Sequence, residues 1–98
     1  MTIDQSALAF AGCDSAEIAA IVADPSERNV GAIIGATCAR EAATQLADGD
    51  ELFTMNRNTA LQGGDRDYLD RVISALGGDE MTTDHYRGFI DGWNSVAE

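Results

Sequence analysis

An all-α fold is what this sequence predicts, and three observations predict it. Apolar residues recur at helical spacing along nearly the whole chain, strand-like alternation is absent, and Asp, Thr and Gly fall where helix ends need them. A chain of 98 residues fits one domain, which buries roughly two-thirds of its extended surface on folding. The expectation is a single compact helical domain over residues 1–98, with about five helices packed around a central helix at 25–47.

The elements follow in order. Asp4 is a good N-cap for a first helix that ends near Gly12. Asp14 and Glu17 are spaced like a capping box and open a second helix, with Ile18, Ile21 and Val22 on one stripe. Asp24-Pro25 closes it and starts the central helix, Asp24 as N-cap and Pro25 in the first helical position. Val30, Ile33, Ile34, Thr37 and Cys38 form one apolar stripe of that helix, while Gly31, Gly35 and Ala39 form a second, small one. A helix apolar on one side and small on another is buried on both. After Ala47-Asp48-Gly49-Asp50, a weaker helix is predicted within Glu51 to Leu61. Gln62-Gly63-Gly64 breaks the chain, and Asp65 caps a strongly amphipathic helix with Tyr68, Leu69, Val72, Ile73 and Leu76 inward. Asp67, Asp70, Arg71 and Ser74 then point outward. Gly77-Gly78 ends this helix, and Thr82 or Thr83 caps the last, whose core face is Tyr86, Phe89, Ile90, Trp93 and Val96.

Charge is the strongest compositional feature. Seventeen acids face six bases, every base is Arg, and the net charge is -11. A hydrophobic fraction of 45% with regular periodicity argues for a folded chain despite that charge. Such a body repels nucleic acid and anionic membranes and is drawn to basic protein surfaces, so direct nucleic-acid binding is not expected. The segment MTIDQSALAF has no basic n-region, and the apolar run Val30 to Ala39 is too short to span a bilayer. A cytoplasmic setting is therefore expected, with Cys13 and Cys38 as free, buried thiols.

No catalytic, cofactor or metal site is expected. Cys38, His85 and Asp84 could in principle form a nucleophile, base and orienter, but Cys38 sits on the apolar stripe and His85 reads as a surface residue near a helix start. Asp48 and Asp50 resemble the opening of a calcium loop, yet Leu52 takes the next ligand position and no glutamate closes it. Asp67 is placed to pair with Arg71 one turn on. The doublets Gly63-Gly64 and Gly77-Gly78 end segments rather than cradle phosphates. The pairs Gly31/Gly35 and Gly88/Gly92 each repeat at four residues; they serve either tight internal packing or a homodimer seam.

Acid clustering carries the functional reading. Asp48, Asp50 and Glu51 form one knot, Asp65, Asp67 and Asp70 a second, and Asp79, Glu80 and Asp84 a third. Acids at helix starts favourably oppose the macrodipole. Capping needs only one or two per helix, and this sequence supplies more. The candidate partner-binding set is these nine residues.

In size, helical content, acidity and lack of catalytic motifs the chain resembles the small acidic anti-defence proteins of phages, both DNA mimics and anti-CRISPR proteins. The ending Tyr86-Arg87-Gly88-Phe89-Ile90-Asp91-Gly92-Trp93 is similar to terminal helices of small phage-encoded proteins. The resemblance implies a stoichiometric inhibitor that covers the basic surface a guide-loaded CRISPR effector offers to target DNA. Exposed members of Phe53, Met55, Tyr68 and Tyr86 would anchor it. The alternative is a self-associating helical structural or regulatory module, dimeric through the glycine seam and acidic from genome or habitat bias.

Overall fold

The computed structural model describes residues 3–44 and 64–97, and among these the chain is all-α. The helices are α1 (Gln5–Ala11), α2 (Ser15–Ala23), α3 (Glu27–Thr44), α4 (Gly64–Ala75) and α5 (Thr83–Ala97). As expected, α3 is central: it packs against α2, α4 and α5, and its contact with α5 is the most extensive among the described helices. The helix predicted within Glu51 to Leu61 lies outside the described residues, as do residues 45–47. No described helix is long and apolar enough to cross a membrane.

Helix ends form where the side chains dictate. Asp4 Oδ1 accepts from the amides of Ser6 (3.0 Å) and Ala7 (3.2 Å). Gly12, at φ 118°, closes α1: its amide donates to Ala9, and that of Cys13 to Leu8, both at 3.1 Å. This is a Schellman ending, which needs a residue tolerant of positive φ. The capping box of α2 is complete, with Glu17 N donating to Asp14 Oδ1 at 2.8 Å and Asp14 N to Glu17 Oε1 at 3.1 Å. The start of α3 departs from expectation by two residues. Asp24 Oδ1 accepts from Ser26 N at 3.1 Å instead of capping α3, and Ser26 Oγ takes the cap by accepting from Asn29 N at 3.4 Å. Asn29 Nδ2 then donates to Asp24 O at 2.6 Å, tying the turn to the helix it precedes. Asp65 likewise is not the N-cap of α4 but stands in its first turn.

The α3–α5 contact is a meeting of backbones. A Cβ built on Gly31 would lie 2.2 Å from His85 O, and one on Gly35 2.1 Å from Phe89 O. Reciprocally, Gly88 would meet Arg28 O and Gly92 would meet Ala32 O, each at 2.0 Å. Both sets of contacts advance four residues along each helix in the same sense, so α3 and α5 run parallel. The four glycines of the two pairs meet within one chain, which is the internal-packing reading of the seam. Across its edge Arg28 pairs with Asp91, Nε donating to Oδ2 at 3.1 Å.

Around this pair Leu8, Ile21, Val30, Ile34, Leu69, Val72, Phe89 and Trp93 are fully buried. Each such side chain contributes roughly 1.5–3 kcal/mol by leaving water. Phe89 and Trp93, one turn apart on α5, stack with ring centroids 6.1 Å apart. Their burial is what the last-helix stripe predicts.

Candidate partner-binding site

The three acidic knots fare differently. Asp48, Asp50 and Glu51 lie outside the described residues. In the second knot, Asp65 is half-buried and close enough to Cys38 to help raise its thiol pKa, so it belongs to the interior edge rather than to a fully presented face. Asp67 is exposed in the first turn of α4, and Asp70 is half-buried one turn further on. In the third, Asp79 and Glu80 are exposed in the loop after α4, and Asp84 is exposed in the first turn of α5.

The fold joins parts of the second and third knots. Asp70, Asp79 and Glu80 line one surface pocket of about 350 Å³ together with Arg66 and Met81. This juxtaposition follows from the end of α4. Gly77, at φ 87°, and Gly78 reverse the chain, with Gly78 N donating to Ile73 O at 2.9 Å, which brings the loop back alongside α4.

The two arginines on α4 differ in their partners. Arg66 Nε lies 3.8 Å from Asp70 Oδ2 in an exposed i,i+4 pair, weak in solvent. Arg71 turns to the body of the protein instead of to Asp67. Its Nε donates to Ala11 O at 3.3 Å, and its guanidinium lies 5.7 Å from the Tyr68 ring centroid. A bond to a backbone carbonyl plus a cation–π contact outcompetes an exposed ion pair. Asp67 is thereby left to solvent.

Beneath α4 lies a buried polar cluster that periodicity did not single out. Glu17 is 7% exposed and accepts from Tyr68 Oη at 2.8 Å and Thr37 Oγ1 at 3.2 Å, besides capping α2. The signal was present: Glu17 lies four residues before Ile21, on the buried face. Tyr68 Oη is also 3.6 Å from Cys13 Sγ. Burial, followed by the neighbouring Cys13 and Glu17, pushes the Tyr68 phenol well above its ordinary value and keeps it a donor. Burial and nearby carboxylates likewise raise both free thiols, most strongly Cys38, whose neighbours include Asp65 and Glu41. Protonated thiols are poor nucleophiles. Among the described residues there is no group of three or more His, Cys, Asp or Glu placed to hold a metal ion.

His85 is buried, at 6% exposure, not on the surface as its position near a helix start suggests. The close approach permitted by Gly31 draws this turn of α5 against α3. His85 completes a capping box: its amide donates to Thr82 Oγ1 at 3.3 Å, and its Nδ1 accepts from Thr82 N at 3.1 Å. Thr82 Oγ1 donates in turn to Glu27 Oε2 at 2.8 Å, linking the starts of α3 and α5. Burial lowers the His85 pKa, against the opposing pull of Glu27 and Asp84. A group whose folded pKa lies below its unfolded value contributes stability above the unfolded value, near 6.5, and loses it as pH falls towards the folded one. Stability is therefore expected to drop as pH falls from neutral through 6. Urea titrations of wild type and His85→Gln across this window check it. The variant keeps an acceptor but cannot titrate, so its curve should lack this component; parallel curves would refute the assignment.

The clearest surface feature missed in the sequence is Phe10, 95% exposed on α1. Leu8 and Ala11 define the buried face of that helix, and Phe10 falls on the opposite side. Of the expected anchors, Phe53 and Met55 lie outside the described residues, while Tyr68 and Tyr86 are half-buried. No family model matches the chain, and no curated protein or solved structure shows significant similarity to it.

Proposed function

We propose that this protein acts as a stoichiometric inhibitor in the cytoplasm, binding a basic protein surface of the kind a CRISPR effector uses to hold target DNA. The observation supporting it most is the convergence of Asp70, Asp79 and Glu80 on one surface pocket from two separate stretches of chain. Capping does not account for these acids. The N-cap of α5 is Thr82, so Asp79 and Glu80 cap nothing, and Asp70 lies beyond the first turn of α4. With a net charge of -11, the exposed set speeds encounter with a Lys/Arg-lined partner and makes binding salt-sensitive. The glycine seam is filled by α3 and α5 themselves, so self-association would need another surface.

The test is capture of purified guide-loaded effector complexes at low and high salt, with wild type and the triple variant Asp67→Lys/Asp79→Lys/Glu80→Lys. All three residues are exposed, so the variant should retain its helical circular dichroism. Asp65 is left intact because it faces Cys38. Wild type should bind in a salt-dependent manner and the variant at least about tenfold more weakly. Equal binding by the two proteins would rule out the acidic surface.

A further inference from the structure

Phe10 stands beside a groove of about 520 Å³ between α1 and α4, lined also by Ala7, Ala11, Asp70, Ser74 and Ala75. Small apolar side chains make the site shallow and accessible, and a fully exposed aromatic flanks it. Single exposed apolar residues need no explanation, but this one adjoins a groove that is separated from the acidic pocket only by Asp70 and Ser74. Asp70 and Ser74 line both, so the apolar groove and the Asp79/Glu80 loop share one edge of α4. Arg71, which also lines the groove, is exposed, with its Nε on Ala11 O and its guanidinium over the Tyr68 ring. Arg66 in the acidic pocket faces Asp70, so the three acids Asp70, Asp79 and Glu80 outnumber the two arginines and leave the combined rim net negative.

From this geometry we infer that the Phe10 groove receives a basic amphipathic helix of the partner. An apolar side chain of that helix packs against Phe10 and the alanines, and its flanking Lys or Arg residues meet Asp70, Asp79 and Glu80. Charge complementarity selects this occupant: an acidic or neutral helix would fit the groove but meet a net negative rim. The acids then supply encounter and register, and the groove supplies the desolvated anchor that exposed charges lack. The inference rests on the acidic-surface reading and adds to it the class of binding element.

The probe is a labelled Lys/Leu peptide with its leucines on one helical face, compared with a scrambled peptide of identical composition, followed by fluorescence anisotropy. The proteins are wild type, Phe10→Ser and Asp79→Lys/Glu80→Lys. The patterned peptide should bind at least about tenfold tighter than the scrambled one, and Phe10→Ser should erase that margin while leaving the scrambled peptide unaffected. Equal binding of the two peptides, or an unchanged margin in Phe10→Ser, overturns the groove. If both peptides still weaken with Asp79→Lys/Glu80→Lys, the acidic surface survives that loss; if neither does, both fall together. A concentration-dependent dimer mass for wild type, absent in Phe10→Ser, overturns the inference in favour of a second copy of this chain.

Discussion

Gly35→Ala and, separately, Gly92→Ala are each expected to destabilise the domain by about 2–3 kcal/mol, the cost of overpacking a close contact. The sign carries the argument as much as the size. In an ordinary helix interior the same change stabilises by about 1 kcal/mol, because alanine is the better helix former. Here the added methyl would sit 2.1 Å from Phe89 O or 2.0 Å from Ala32 O, and a backbone carbonyl in a helix cannot swing aside as a flexible side chain does. The two helices must separate, loosening Phe89 and Trp93, both almost fully buried on α5. The double variant should fall short of the sum, since a seam opened by one methyl accommodates a second more easily. Gly64, at the start of α4 with nothing within 4 Å of a built Cβ, is the control, and its alanine variant should be neutral or slightly stabilising. Urea titration with linear extrapolation measures the four variants against wild type. If Gly35→Ala stabilised the protein as Gly64→Ala does, the parallel pairing of α3 and α5 would be wrong.

The seam also shows what was legible in the sequence. The small stripe of the central helix and its counterpart in the last helix were visible as two four-residue glycine repeats, but which surface each meets depends on tertiary placement. The stripes of α3, α4 and α5 were readable because long amphipathic helices bury what their periodicity exposes as a face, and Val30, Ile34, Leu69, Val72, Phe89 and Trp93 are buried accordingly. The caps at Asp4 and Asp14 were readable because they are local. The failures have local causes too. At Asp24-Pro25-Ser26 two acceptors compete for one cap, and the Asx turn of Asp24 leaves the helix start to Ser26. His85 was misplaced because reading it required the fit of two helices. Of the acidic set, chain reversal at Gly77-Gly78 decides which acids meet, and that brings Asp79 and Glu80 to Asp70, while Asp65, at the other end of α4, lies beside Cys38. Phe10 could have been found by asking which aromatic falls off its own helix stripe.

The second large effect is expected at Glu17. Glu17→Ala removes one carboxylate that serves three donors, Tyr68 Oη at 2.8 Å, Thr37 Oγ1 at 3.2 Å and Asp14 N at 3.1 Å, and should destabilise the domain by about 2–4 kcal/mol. Tyr68→Phe removes a single donor and leaves the carboxylate two partners, so about 1 kcal/mol is expected. Thermal or urea unfolding of the two single variants and the double variant forms a cycle. Its coupling should reach about 1 kcal/mol or more, because once Tyr68 is phenylalanine the alanine at position 17 orphans one donor fewer. Glu17→Gln should fall between wild type and Glu17→Ala: the amide keeps one oxygen acceptor, and the Tyr68 hydroxyl can reverse its role whereas a backbone N–H cannot. The cluster matters beyond its own stability because Glu17 sits on α2, Thr37 on α3 and Tyr68 on α4. It is a buried polar contact that, with the Arg71 bond to Ala11 O, sets where α4 lies against the rest of the fold, and α4 carries Asp67, Asp70 and one wall of the Phe10 groove. An additive cycle would mean that α4 is held in place without this cluster, by the apolar packing of Leu69, Val72 and Ile73 and the Arg71 bond to Ala11 O. A coupled one means that the acidic face is held on its frame by a buried carboxylate.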